Sequence, residues 1–506
     1  MTLNRFLLLL LPEITLTVVA FLIFILDLII GGDEVRERRL QWVAFLGVLL
    51  ALVATILIWP LAEAGGLPVA FDVGPGFGGD VVPMMTLDGL ALFFKLITVL
   101  VLAIIILSAG EYVKAHTRFR GEFYAFVLLA GLSIMLASAA TNLVMIYLSI
   151  EFLSITSYVL TGYLRDDVRS TEAAIKYFIY GAAASAVMLY GFSLLYGATG
   201  ATDLVEIATA LATGSVTLRW LIFPALVMVL AGLGFKIALV PFHQWSPDAY
   251  EGAPTPVTAF LSVGPKAAGF AVLIRFLIVA LPAFQVNWSA VLAGVAILTM
   301  SLGNLIALWQ TNVKRMLAYS SIAQAGYMLI GLAALAPLAE SWTNGLNALL
   351  LYLFAYLFTN LGAFAVVIAV EDRTGSANLP DFSGLIQRSP FLAVSMLVFL
   401  LSLIGIPPTG GFMGKLFVFG AAVQRQMILL AVIGVLNSVI SVYYYYKIMR
   451  PMLFERADDA EPIRVTPSIR LVVGFSLAMV LAIAIYAEPF IRLATESAQL
   501  LLAARF

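Results

Sequence analysis

The chain has 506 residues, 62% of them hydrophobic and 11% charged, with a formal net charge of −1 and a mean hydropathy of +1.04. Soluble proteins carry about 25% charged residues, so this chain lacks the polar material to cover a water-facing surface and reads as an all-α polytopic membrane protein. The absence of cysteine and the presence of only two histidines exclude thiolate-held clusters, covalent haem and thiol chemistry, and leave little for a metal site.

At about 20 apolar residues per span, fourteen segments qualify: 6–30, 41–60, 86–108, 122–140, 142–163, 172–197, 220–241, 254–281, 288–308, 315–335, 344–370, 390–420, 427–449 and 468–490. The first is longer than the apolar core of a signal peptide and lacks a cleavage pattern after it, so it reads as a retained helix. The connections after odd-numbered spans hold seventeen Lys and Arg, from Arg36, Arg38 and Arg39 through Lys314 and Arg315 to Arg464 and Arg470. The other side holds five: Arg5, Arg219, Arg425, Arg492 and Arg505. Basic residues collect on the cytoplasmic side, which places both termini on the opposite one.

Six basic residues remain inside spans: Lys95, Lys176, Lys236, Lys266, Arg275 and Lys415. A lysine at the centre of a span costs roughly 2.5–3.5 kcal/mol, which makes each a functional candidate. Arg275 lies near the end of its span and can snorkel, and Lys95 can pair with Asp88 two turns away or with another helix. Glu151 is alone near the middle of the fifth span, with Lys176 and Lys236 on the next two spans, where a bundle can bring them close. Such a group is either a static ion pair or a proton relay. A carboxylate about 4 Å from an ammonium is worth roughly 4 kcal/mol at an effective dielectric of about 20. Moving one charge against about 100 mV takes about 2.3 kcal/mol. A contact that opens and closes is therefore strong enough to load and unload a lysine, which can give up its proton where an arginine cannot.

Lys266 follows Pro265 in "PVTAFLSVGPKAAGF", and Lys415 follows the Pro-Pro-Thr-Gly-Gly run of "LIGIPPTGGFMGKLFVF". Interruptions at membrane depth free backbone groups that hydrocarbon cannot satisfy, so both are read as breaks covered by protein or water. These lysines either relay protons or simply bind the freed carbonyls. His243, in "PFHQWSPDAYEGAP", is a proton shuttle near neutral pH or an interfacial residue beside Trp245. Asp248 and Glu251 read as a solvated acidic loop or as proton collectors at a mouth. Glu13 has no partner visible in sequence, and the run Tyr443 to Tyr446 reads as an aromatic belt.

"SITSYVLTG" from Ser154 and "SIAQAGYMLIG" from Ser321 share a beginning and an end, and Lys236 and Lys415 follow at a similar spacing. The pattern predicts two five-helix repeats, each with an interrupted helix, the second inverted because each unit has an odd number of spans. The organisation is a three-helix segment over 1–121, repeats over 122–281 and 288–449, and a C-terminal loop and last helix over 450–506. Only the first repeat has a glutamate; Ser320 or Ser321 stands there in the second.

Glu151, Lys176 in "EAAIKYFIYGAAASAVMLYG", "GFKIALVPFHQWSPDAYEGAPTPVTAFLSVGPKAAGF", "NVKRMLAYSSIAQAGYMLIG" and "LSLIGIPPTGGFMGK" together resemble the antiporter-like membrane subunits of respiratory complex I and its relatives. "LPEI" in the first span, Lys415 in place of glutamate and the lack of a long C-terminal extension point to one paralogue type within that family. The resemblance implies a proton-translocating subunit of the inner membrane without a redox centre. Glu151 and Lys236 would be its gating pair, Lys176 a modulator, Lys266 a carrier along the central axis and Lys415 the residue facing the exit. It also implies partners, the other membrane and peripheral subunits and the lipid bilayer, with no nucleic acid. This chain would bind no cofactor, while NADH, FMN, iron–sulfur clusters and quinone belong to other subunits. A subunit of a multi-subunit cation/proton antiporter shares nearly all these charges and is the alternative, beside a structural subunit with static ion pairs.

Overall fold

In hydrocarbon a segment must satisfy its own backbone hydrogen bonds, and the described residues are accordingly almost all helical. The computed structural model describes residues 7–30, 34–63, 67–69, 84–214, 216, 218–336, 344–456 and 461–503. Arg5 and Arg505, counted in the charge asymmetry, lie outside them. The helices are α1 (Leu11–Ile30), α2 (Glu34–Glu63), α3 (Gly89–His116), α4 (Arg120–Ala139), α5 (Leu143–Thr161), α6 (Val168–Thr199), α7 (Leu204–Thr213), α8 (Ile222–Ile237), α9 (Trp245–Gly252) and α10 (Thr255–Arg275). They continue with α11 (Gln285–Ala307), α12 (Val313–Ala333), α13 (Gly345–Thr374), α14 (Leu385–Arg388), α15 (Pro390–Ile404), α16 (Gly410–Gln424), α17 (Ile428–Phe454), α18 (Pro467–Ile485) and α19 (Glu488–Ala503). Two short strands, β1 (Leu67–Val69) and β2 (Met85–Leu87), pair antiparallel.

Among the described residues, 13 helices are long and apolar enough to cross a membrane. The broken pair α15 and α16 supplies the remaining crossing, in agreement with the fourteen spans read from sequence. α10, α12 and α13 are buried almost along their whole window, whereas α6 leaves most of its face outward. The centre of the bundle is thus formed by the helices carrying Lys266, Ser321 and Gln324.

The two halves share a junction that sequence similarity alone hardly shows. Asn142 caps α5 by accepting from Val144 N at 2.9 Å, while Leu143 N donates to Thr202 O (2.9 Å) and Leu204 N to Thr141 O (3.0 Å). Asn312 caps α12 in the same way, through Arg315 N at 3.1 Å, with Val313 N on Ala377 O (2.7 Å) and Leu379 N on Thr311 O (3.0 Å). Five crossings separate α5 from α12, so the two knots lie at opposite ends of the bundle, as inverted repeats require.

Two sequence readings change here. α10 runs unbroken through Pro265, because the carbonyl that this proline leaves without its helical donor, Leu261 O, accepts from the Tyr250 hydroxyl at 3.1 Å. The break in the first half lies at Ala238, which has φ 63 and closes α8; upstream, a Cβ on Gly232 would stand 2.4 Å from Met188 Cβ, so that glycine lets α8 approach α6. Lys236 consequently precedes its break while Lys415 follows its own, and the prolines at 241 and 407–408, not the lysines, are the matching positions.

Arg275 does not snorkel. Its guanidinium forks onto Asp88, Nη1 to Oδ2 at 2.6 Å and Nη2 to Oδ1 at 2.9 Å, and Nη2 also reaches Ser138 O at 3.0 Å. Asp88 in turn caps α3 through Ala91 N at 2.8 Å. Removing one partner of a buried pair costs about 3–5 kcal/mol. Asp88→Ala should therefore lower the melting temperature of the purified protein, and Arg275→Lys should not restore a wild-type value, since an ammonium cannot fork; equal melting curves would show that the pair contributes nothing.

Candidate functional site

The end of α8 builds a chamber around Lys236. Beyond Ile237 the chain turns through 238–244, and Trp245 at the start of α9 folds back so that its indole N–H donates to Phe235 O at 2.9 Å. The same indole stacks on Tyr177 of α6, with ring centres 4.1 Å apart and an angle of 8°. Lys236 Nζ lies 5.8, 5.7 and 5.8 Å from the ring centres of Tyr158, Tyr177 and Phe235. This distance gives a cation–π contact, but among the described residues Nζ has no hydrogen-bond partner, and neither do the buried hydroxyls of Ser157, Tyr158, Tyr177 and Ser246. Gly181 belongs to this chamber, because a Cβ there would collide with the Tyr158 hydroxyl.

Glu151, half-buried on α5, does not form an ion pair with Lys236 among the described residues. Its Oε1 accepts the hydroxyl of Ser185 on α6, a residue that sequence reasoning missed because a serine in an alanine-rich helix carries no distinctive signal. Lys176 is not beside Glu151 either. Its Nζ lies 2.7 Å from Glu172 Oε1 and 3.0 Å from Asp248 Oδ2.

That contact opens onto a polar cavity of about 450 Å³ at the basic end of the bundle, bordered by Arg169, Glu172, Lys176, Lys314, Arg315 and Glu371 among others. Asp248 and Glu251 are not a loop but part of α9, and Arg315 Nη1 spans both, at 2.7 and 2.9 Å. Burial pushes the Asp248 carboxyl up, but the hydrogen bonds from Lys176 and Arg315 outweigh it and hold the group below the usual aspartate range. Lys314, counted from sequence as a loop charge, is buried, with Nζ 2.9 Å from Ala253 O and 3.6 Å from Glu371 Oε1. His243 lies nearby in the 238–244 connection, with its Nδ1 unpartnered among the described residues; burial pushes its imidazole below the usual range. Trp245 stacks on Tyr177, not on His243.

Along the centre of the bundle the polar groups form two hydrogen-bonded sets side by side. Lys266 Nζ donates to Ser321 O at 2.6 Å, and the Ser321 hydroxyl is 3.5 Å from that of Tyr250. Next to it the Ser320 hydroxyl meets Tyr445 at 2.5 Å, and Tyr445 is 3.4 Å from Gln324 Nε2, which donates to Leu403 O at 2.8 Å. The same carbonyl accepts from Lys415 Nζ at 3.0 Å, as do Ile404 O at 2.8 Å and Ser438 Oγ at 3.1 Å. Leu403 and Ile404 end α15, whose last carbonyls lack helical donors and carry the negative end of the helix dipole, so Lys415 caps that helix. Gly405, at φ 92, closes α15 in the left-handed region, and a Cβ on it would press on Lys415 Cδ at 2.8 Å. Of the four tyrosines read as a belt, Tyr443 and Tyr446 face outward, whereas Tyr445 is a buried member of this network and Tyr444, also buried, donates to Asn304 Oδ1 at 3.0 Å.

Three buried lysines, two of them beside broken helix ends and one on the unbroken α10, inside a bundle of apolar helices define a polytopic membrane subunit with a charged interior. A family model described as NADH:quinone oxidoreductase/Mrp antiporter, transmembrane, matches residues 140–441. NADH-quinone oxidoreductase subunit N 2 of Symbiobacterium thermophilum is 41% identical over 97% of this chain and 96% of its own. NAD(P)H-quinone oxidoreductase subunit 2 of Synechocystis sp. is 42% identical over 96% of this chain and 92% of its own. A chain of respiratory complex I from Thermus thermophilus has a TM-score of 0.76 at 31% identity, covering 95% of this chain and 98% of that one. A chain of the Mrp complex from Dietzia sp., with a TM-score of 0.85 over 100% of both chains but 23% identity, shares the fold. The chain belongs to the NADH:quinone oxidoreductase/Mrp antiporter family of membrane subunits. Within that family the relatives it matches include proteins named subunit N and proteins named subunit 2, and subunit N is the type to which "LPEI" and Lys415 point.

Because the Asp248 carboxyl is held below its unfolded value of about 3.9, its stabilising contribution is present above that pH and is lost as pH falls through the lower folded value. Asp248→Asn should melt below wild type at pH 7, and the gap should close in acid. A pH-independent gap would point to packing instead of charge.

Proposed function

We propose that this chain translocates protons as a non-redox subunit of an NADH:quinone oxidoreductase, multi-pass in the inner membrane with both termini on the non-cytoplasmic side. Other membrane and peripheral subunits are its partners, and they hold FMN, the iron–sulfur clusters and the sites for NADH and quinone. Its working parts follow the repeats over 122–281 and 288–449. The observation that carries this reading is the row of buried polar groups between Lys266 and Lys415, made of two hydrogen-bonded sets that meet at the adjacent residues Ser321 and Ser320: Lys266 on Ser321 O, and Ser320 through Tyr445 and Gln324 to the Leu403 carbonyl that Lys415 also binds.

Three lysines perform three different tasks along it. Lys236 is a charge site without a hydrogen bond, and buried unpaired polar groups of this kind draw in water. When Glu151 leaves Ser185 and approaches, the ammonium is stabilised by an amount exceeding the cost of moving a charge against the membrane potential. When Glu151 returns to Ser185, Lys236 gives its proton up. Lys266, held by a single carbonyl, passes charge between the halves, and Lys415 receives it against the carbonyls of α15. Lys176, tied to Asp248, sets the field at the mouth from which Lys236 is loaded, and His243, neutral through burial, is suited to hand protons inward.

In the assembled complex Lys236→Ala should abolish or strongly reduce proton transport measured in vesicles; full pumping would sink the relay. At Lys415, replacement by Arg should impair pumping more than replacement by His, since a permanent charge on the α15 carbonyls blocks release. Equal pumping by the two variants would mean that Lys415 is a static cap. The antiporter alternative predicts sodium-dependent proton movement without NADH oxidation, which the same vesicles would reveal.

A further inference from the structure

Two buried ion pairs share helix α3, and they are built differently. Asp88 accepts two bonds from the Arg275 guanidinium and one from Ala91 N, and arginine does not give up its proton, so this pair is a fixed brace. Seven residues further on, Lys95 Nζ lies 2.8 Å from Glu13 Oε1 of α1, with both side chains buried. Neither Glu13 oxygen accepts a hydrogen bond from a hydroxyl or backbone group among the described residues. No hydroxyl or backbone group therefore fixes this carboxylate in place, and its partner is a lysine, whose ammonium, unlike a guanidinium, has a proton it can pass on.

The position matches this chemistry. α3 packs along α10, and the Asp88–Arg275 fork aligns the start of α3 with the end of α10, so the two helices run antiparallel. At 1.5 Å per residue Lys95 lies about 10 Å and Lys266 about 13 Å below that fork. The pair therefore stands at nearly the depth of the central lysine, on a neighbouring helix, outside both repeats.

We propose that Glu13 and Lys95 form an additional exchangeable pair that stores one proton beside Lys266; this rests on the translocation reading above. In the step, the proton on Lys95 Nζ passes to Glu13 Oε1, giving an amine and a carboxylic acid. The amine then accepts one proton from the central axis. The reverse sequence returns that proton to the axis and restores the ion pair, so charge and protons balance over the cycle. Glu13 and Lys95 are proton-carrying residues in this assignment, and the Asp88–Arg275 fork is only their support.

The test uses the assembled oxidoreductase in membrane vesicles, reading protons moved per NADH oxidised together with the uncoupled NADH oxidation rate. In E13Q/K95M both charges are replaced by neutral groups of similar size, a change that leaves a static brace nearly unaffected. The expected result is an assembled complex with wild-type uncoupled oxidation and a loss of protons per NADH. K95R, which retains the ion pair but cannot donate its proton, should show the same loss. Wild-type proton yield in either variant would overturn the proposal, and so would failure of both variants to assemble, which would mark the pair as a brace. K236A serves as the reference: if it pumps normally, the translocation reading itself fails, whereas a loss confined to K236A removes only the Glu13–Lys95 assignment.

Discussion

Every backbone polar group inside a bilayer must find a partner in protein or water, and the molecule is organised by how it meets that demand where its helices stop. A helix end at membrane depth leaves carbonyls that cost free energy unless something donates to them. Here the donors are side chains from elsewhere in the bundle: the Trp245 indole on Phe235 O, the Tyr250 hydroxyl on Leu261 O, and the Lys415 ammonium on Leu403 O and Ile404 O. The same contacts that make these helix ends and the Pro265 site tolerable place polar side chains in the interior of the bundle.

The two halves use this device with opposite results. Around Lys415 the donors and acceptors are matched, and the ammonium is held by two carbonyls, the Ser438 hydroxyl and the face of Tyr327 at 4.2 Å. Around Lys236 they are not matched. Its nearest neighbours are three aromatic rings, and the carboxylate that would neutralise it is held on Ser185. In the translocation we propose, this inequality sets the direction: Lys236 is loaded by a carboxylate that moves, and Lys415 retains the proton against fixed dipoles. The mouth at Lys176, Asp248 and Arg315 adds a balanced set of charges that joins the first repeat to the start of α12.

Much of this was legible in the chain. Hydropathy marked the spans, because a stretch of about 20 apolar residues has few other uses, and the cost of intramembrane charge singled out Glu151, Lys236, Lys266 and Lys415. Proline and glycine marked the break before Lys415 correctly. They misled at Pro265, since a proline frees only its own carbonyl partners and a tyrosine from α9 replaces the missing donor. Lys314 and Asp248 read as solvated loop charges because position in a connection says nothing of what folds over it. Ser185, Tyr445 and Gln324 had no signal at all; a serine or tyrosine in an apolar helix is ordinary until its partner is known.

Composition and periodicity by themselves determined that this is a membrane bundle of fourteen crossings with charges it must justify, because the bilayer penalises polar groups whatever the fold. Pairing was decided only by the tertiary structure. Glu13 belongs to Lys95, Asp88 to Arg275, Lys176 to Asp248 and Glu151, in this arrangement, to Ser185. Partners separated by up to nearly two hundred residues are chosen by which helix faces meet, and that is set by side-chain packing summed over the bundle, which no local stretch of sequence encodes.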